Sequence, residues 1–145
     1  MPTDDAQLRE LLQRSRTVAV VGLSDKPDRD SNQVARYLQS NGYRVIPVNP
    51  MAPEILGEKS YPSVTAIPDE IRVDLVDIFR RSDQVEPVVA EALDRPEVLG
   101  IWMQLGVAHP AAAARARAAG RVVVEDRCVM QEHRRLFGTP AGGRP

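Results

Sequence analysis

Apolar runs alternate with amphipathic stretches along the whole chain and predict a regular succession of strands and helices. Leu8, Leu11 and Leu12 have helical spacing behind Asp4 and Asp5, which suit a helix start. Thr17-Val18-Ala19-Val20-Val21 is an unbroken run, the pattern of a strand covered on both faces, and it stops at Gly22. A polar loop follows as far as Ser31 and Asn32, where a helix begins that carries Val34, Ala35 and Leu38 and stops at Asn41-Gly42. Val45-Ile46-Pro47-Val48 predicts a second strand, with Pro47 better placed at a strand end than in its middle. Asn49 to Ile71 holds prolines at 50, 53, 62 and 68 and reads as a long loop, a length that usually marks a functional or covering element.

Val73 to Ile78 gives a third strand, and Ser82 caps a helix carrying Val85, Val88, Val89, Ala92 and Leu93. Val98 to Trp102 is a fourth strand. His109-Pro110 opens an alanine-rich helix that stops at Gly120, with Pro110 in the first turn, where a missing N–H is harmless. Val122-Val123-Val124 is the fifth strand, Asp126 caps a last helix ending near Phe137, and Gly138 to Pro145 reads as a disordered tail. Strands alternating with helices imply right-handed crossovers and a mainly parallel sheet. The expectation is one α/β domain over residues 1–137: doubly wound and Rossmann-like, five strands in the order 3-2-1-4-5, helices on both faces. In such a sheet the crevice lies beyond the carboxyl ends of the strands, here near the switch between strands one and four. Four turns are thereby singled out: Gly22 to Asn32, Val48 to Pro53, Ile78 to Ser82, and Met103 to His109.

Composition narrows the partners. A formal net charge of -1 gives no global reason to expect nucleic acid or an anionic membrane, and 4% aromatic residues are too few for a base-stacking platform. No apolar run approaches the ~20 residues of a membrane span. The start, Met1 to Glu10, is polar and acidic, unlike a secretory signal, and a lone cysteine excludes an internal disulfide. The reading is a cytoplasmic protein.

The first turn carries the chemistry. Gly22-Leu23-Ser24 follows a buried strand and Ser31-Asn32 opens a helix, where unpaired N–H groups and the helix dipole favour an anion such as phosphate. Ser24 and Ser31 add hydroxyls; Lys26 and Arg29 add positive charge. The dinucleotide fingerprint is incomplete, since Ser24 stands at the second glycine and Asn49, not a carboxylate, follows strand two. No G-K-[ST] closes the turn as in a Walker loop.

Gly22-Leu23-Ser24, Pro27, Arg29, Ser31-Asn32, Tyr37-Leu38, Gly42-Tyr43 and Val45-Ile46-Pro47-Val48-Asn49-Pro50 resemble the small single-domain CoA-binding proteins. The same domain begins the succinyl-CoA synthetase alpha subunit and the ADP-forming acyl-CoA synthetases. The likeness continues through Trp102-Met103-Gln104-Leu105-Gly106 and Glu125-Asp126-Arg127-Cys128, covering roughly Val18 to His133. The resemblance implies that coenzyme A or an acyl-CoA lies across the carboxyl edge of the sheet. Gly22, Ser24, Arg29 and Ser31 would hold its phosphates, with Lys26 and Asn32 in the same turn. Asn49 and Pro50 would flank the adenosine end, Phe79 and Arg80 would border the ligand, and Gln104 and Gly106 would lie near the pantetheine arm. Plainer roles stand beside these: Phe79 as a core residue, Arg80 as a solvated helix start, Asn49 as an Asx turn before Pro50.

No catalytic constellation is found. The phosphorylated histidine that succinyl-CoA synthetase needs belongs to a second domain, so the resemblance implies none within the residues it covers here. His109 reads as a helix cap, His133 as a surface residue, and Cys128 as a buried structural cysteine. Asp74 and Asp77 point to opposite faces of their strand and so are no acid/base pair, although Asp77 is placed to steady the crevice. No metal-ligand spacing occurs. The expectation is a CoA-binding module without chemistry of its own, with a protein partner or homo-oligomer left open. The alternatives are an NAD(P)-dependent oxidoreductase and an interaction protein that has lost its ligand.

Overall fold

The computed structural model describes residues 3–138, so the tail expected to be disordered beyond Gly138 lies outside the described residues. The elements follow the apolar runs. Helix α1 (Asp5–Arg14) starts with a capping box in which Asp4 and Gln7 satisfy each other's backbone N–H groups, and it buries Leu8, Leu11 and Leu12. Strand β1 (Thr17–Val21) is followed by α2 (Asp30–Ser40) and β2 (Arg44–Val48). The long loop contains a two-residue hairpin, β3 (Glu54–Ile55) and β4 (Glu58–Lys59). Then come β5 (Leu75–Ile78), α3 (Val85–Leu93), β6 (Gly100–Met103), α4 (Pro110–Ala118), β7 (Val122–Val124) and α5 (Val129–Phe137).

Five strands form one parallel sheet in the order β2-β1-β5-β6-β7. Both faces are covered, as in a doubly wound Rossmann-like fold. One face packs Ala19, Val21, Val76, Ile78, Ile101 and Met103 against Val85 and Val89 of α3 and Ala112, Ala113 and Ala116 of α4. The other packs Val18, Val20, Leu75, Trp102 and Val124 against α1, α2 and α5. At Gly100 a Cβ would meet the Leu11 side chain at 2.7 Å, so this glycine lets α1 lie close on β6.

Counted over the strands of this sheet the order is 2-1-3-4-5: strand one is flanked by two and three, where 3-2-1-4-5 would place two and four. Two local features explain the difference. The Pro47 carbonyl accepts from the Tyr61 N–H (3.1 Å), so the Pro47 backbone faces away from β1, and its ring nitrogen has no proton for a strand on that side. Strand two is therefore an edge. On the other side, the buried Asp74 carboxylate accepts from the N–H groups of Arg16 (2.8 Å) and Thr17 (3.0 Å), which ties the start of β5 to β1. The topological switch thus falls between β1 and β5.

Two predicted caps act elsewhere. Ser82 opens a 3₁₀ turn, Ser82–Gln84, and its Oγ accepts from the Ala108 N–H (3.0 Å) instead of capping α3. Asp126 has a left-handed φ of 58° and accepts from Gly106 N–H (2.7 Å); the residue before α5 is Cys128. His109 does cap α4, its Nδ1 accepting from the Ala112 N–H at 3.1 Å.

Candidate functional site

The turn after β1 is wedged between its two neighbouring strands. Gly22 has φ 85°, and a Cβ there would collide with the Phe79 carbonyl oxygen, so only glycine fits. Its N–H donates to Val48 O (2.9 Å) and is not free for a ligand. Beyond it the loop is closed by its own polar side chains. Ser31 Oγ accepts from Ser24 N–H (2.9 Å), Ser24 Oγ accepts from Lys26 N–H (3.1 Å), and Asn32 Nδ2 donates to Ser24 O (2.9 Å). Arg36, which the sequence reading missed, braces this unit by donating to Asn32 Oδ1 (2.9 Å) and Pro27 O (2.7 Å). Lys26 and Arg29 are exposed and, with the half-buried Arg80, form no ion pair among the described residues.

Helix α2 begins uncapped, because Arg29 at its N-cap makes no side-chain cap bond. The N–H groups of Asp30, Ser31 and Asn32 belong to its first turn, where the helix itself offers no acceptor. The carboxylate of Asp30 stands in that same turn and opposes an incoming anion, which raises the importance of Arg29 and Lys26.

After β2, Asn49 uses both ends of its amide internally. Nδ2 donates to Leu23 O (2.9 Å) and Oδ1 accepts from Met51 N–H (2.7 Å), the Asx turn before the exposed Pro50. The side chain therefore latches the β1 turn to the β2 turn. After β6, Gln104 Oε1 accepts from the Val129 N–H at the start of α5 (3.1 Å), and Gly106, with φ 80°, gives its N–H to Asp126.

Between these turns lies a cleft of about 200 Å³. Asp30, Gln33 and Val34 line it from α2; Phe79, Gln104 and Leu105 from the ends of β5 and β6; Cys128, Met130 and Gln131 from the start of α5. Of the residues expected at the site, Phe79 and Gln104 reach this cleft. The others occupy the surrounding turns at the same carboxyl edge. Gln33 and Gln131 were not anticipated; both stand in the first turns of helices that face the switch point. The cleft has three primary amides, no cation, and one carboxylate.

Cys128 is buried apart from its place in the cleft wall. His133 is not on the surface as expected. It is buried with Nδ1 2.6 Å from the Tyr37 hydroxyl, edge-on to the Tyr37 and Tyr43 rings, and burial lowers its pKa. It lies away from the cleft lining, in the layer between α5 and α2. Asp77, on β5, is fully buried, and neither carboxyl oxygen has a protein partner. Burial raises its pKa well above the ordinary value of 3.8.

Residues 16–134 match the CoA binding domain family. This chain belongs to that family. Among other members, the uncharacterized protein YneT of Bacillus subtilis (strain 168) is 42% identical over 128 residues, covering 88% of this chain and 93% of YneT. A hypothetical protein from Pyrococcus horikoshii OT3 has a solved structure that superposes with a TM-score of 0.88 at 39% identity, over 95% of this chain and 97% of that one. The family domain also lies within larger chains. The dinucleotide forming acetyl-coenzyme A synthetase 1 of Ca. Korarchaeum cryptofilum matches 80% of this chain at 30% identity and a TM-score of 0.67, but only 26% of its own length is covered. Among the described residues no helix is long and apolar enough to cross a membrane.

Proposed function

We propose that this domain binds coenzyme A or an acyl-CoA across the carboxyl edge of its sheet, as a binding module without chemistry of its own. The observation that carries the reading is the division of the edge into two chemically different halves. On one side are the uncapped start of α2 and the cations Lys26, Arg29 and Arg80, without an ion pair among the described residues and suited to a diphosphate and a 3′-phosphate. On the other is the uncharged part of the cleft, where Gln33, Gln104 and Gln131 stand among Val34, Phe79, Leu105 and Met130. Primary amides among apolar walls match the amides and methylenes of a pantetheine arm.

Within this reading Gly22, Asn49 and Gly106 shape the backbone, since the N–H groups of the two glycines and the side-chain amide of Asn49 are already engaged; Ser24, Ser31 and Asn32 hold the phosphate turn in form. Arg29 and Lys26 bind charge, and Pro50 limits the turn at the adenosine end. No nucleophile–base pair faces the cleft among the described residues, so catalysis is assigned to whatever partner or fused domain works with the module. The nicotinamide alternative is weakened by Asn49. A ribose-binding carboxylate is missing there, and the amide is engaged with Leu23 and Met51.

Calorimetric titration with CoA, acetyl-CoA, NAD and NADP in parallel tests the proposal. Binding of the CoA species alone is expected, and Arg29→Ala should weaken it about 5- to 100-fold, the loss of one charge-assisted phosphate contact. Binding of NAD(P) in preference to CoA would put the oxidoreductase reading first, and unchanged affinity in Arg29→Ala would remove that residue from the site.

A further inference from the structure

We propose that Asp77 is a further ligand-binding residue, whose carboxyl group lies beneath the floor of the cleft and hydrogen-bonds an amide of the arm that enters past Phe79. The inference rests on the CoA reading and deepens it. Asp77 stands on the central strand, in register with Val20 of β1 and Trp102 of β6. Side chains alternate along a strand, so Asp77 shares a sheet face with Phe79, two residues on, as Trp102 does with Gln104. The backbone keeps this register past the strand ends, for Gln104 N–H donates to Ile78 O and Phe79 N–H to Val21 O. Asp77 therefore lies one strand step below the two sheet residues that line the cleft.

Its oxygens are the only buried side-chain polar atoms without a partner among the described residues. Such a group is destabilising unless something pairs with it, and a domain that otherwise satisfies its buried polar atoms has reason to keep one only for use. Packing does not call for it, since its register neighbours Val20 and Trp102 are apolar. Held neutral by burial, the carboxyl offers one O–H donor beside one carbonyl acceptor. That pair complements an amide, and it continues downward the amide chemistry that Gln33, Gln104 and Gln131 present at the rim.

The test compares wild type, Asp77→Asn and Asp77→Leu by titration with CoA and with adenosine 3′,5′-bisphosphate, which lacks the pantetheine arm. Asp77→Leu should weaken CoA about tenfold and leave the bisphosphate unchanged, while Asp77→Asn, keeping a donor and an acceptor, stays within about threefold of wild type. Equal CoA affinity in wild type and Asp77→Leu overturns the assignment and leaves Asp77 a core residue satisfied by buried water. A second readout does not depend on how Asp77→Leu folds. The infrared carbonyl band of protonated Asp77, identified by its loss in Asp77→Asn, should shift when CoA is added to wild type and not when the bisphosphate is. A band indifferent to CoA overturns the proposal equally. Wild type that binds no CoA would fell the CoA reading itself, an outcome distinct from a wild type that binds without involving Asp77.

Discussion

Asp77 couples folding to protons in a direction opposite to most carboxylates. Unfolded, it ionises near the ordinary value of 3.8; folded, burial keeps its proton to higher pH. Between those two values the folded state binds the extra proton. Its contribution to stability is fully present below about pH 4 and falls as pH rises through the interval, by up to about 1.4 kcal/mol per pH unit. His133 has the reverse sign: burial lowers its pKa below 6.5, so its contribution is present above that value and lost as pH falls. Denaturant titrations of wild type and Asp77→Asn between about pH 4 and pH 8 share the His133 effect, so their difference isolates Asp77. Wild type is expected to lose stability relative to the variant as pH rises, and parallel curves would mean that the carboxyl is not buried in its neutral form. The burial of His133 was open to sequence reading, because Val129, His133 and Leu136 repeat at helical spacing on one face. The isolation of Asp77 was not, since hydrogen-bond partners depend on what the covering helices bring.

Among the elements, the long loop between β2 and β5 is held in place by one buried cation. Arg95 donates to the carbonyls of Ile67 (2.8 Å), Pro68 (3.2 Å) and Ile71 (2.6 Å) and pairs with Glu97 at 3.0 Å. Arg95→Met keeps the apolar stem and strands three carbonyls. A loss of about 2–4 kcal/mol is expected in urea denaturation, with protease cleavage between residues 61 and 72 rising first. Cleavage no faster than wild type would show that the loop is held by Val64 and Ile67 in the core instead. The strands and helices were readable because each is an unbroken apolar run or an amphipathic stripe. Ser82 and Asp126 misled because a cap-type side chain before a helix can equally serve a neighbouring loop, and here both tie down the turn around Gly106. The strand order carried a signal in Pro47, whose missing N–H marks an edge.

At the scale of the whole molecule, the cleft joins α2, the ends of β5 and β6, and the start of α5, segments separated by up to about a hundred residues. The turns could be foreseen from the strand ends. Gln104 was foreseen with them, but Gln33 and Gln131 could not be, because which side of a helix faces the crevice depends on how it lies across the sheet. Cys128, the one cysteine of the chain, reports on that assembly. Slow alkylation by iodoacetamide is expected in the free protein and marked protection at saturating CoA, with little protection by adenosine 3′,5′-bisphosphate. Equal labelling with and without CoA would place the ligand elsewhere.

The sheet also ends cleanly at both sides. On β2 the outward backbone at Pro47 has no proton to give and its carbonyl is taken by Tyr61; on the three-residue β7 the Val123 carbonyl accepts from Thr3 Oγ1 (2.6 Å) and Arg117 (3.2 Å). Among the described residues each border is thereby a poorer template for an added strand, β2 at Pro47 and β7 at Val123. Crowding the domain, or threading it into a longer polypeptide, therefore meets a sheet whose borders resist fibril-like growth at those two points.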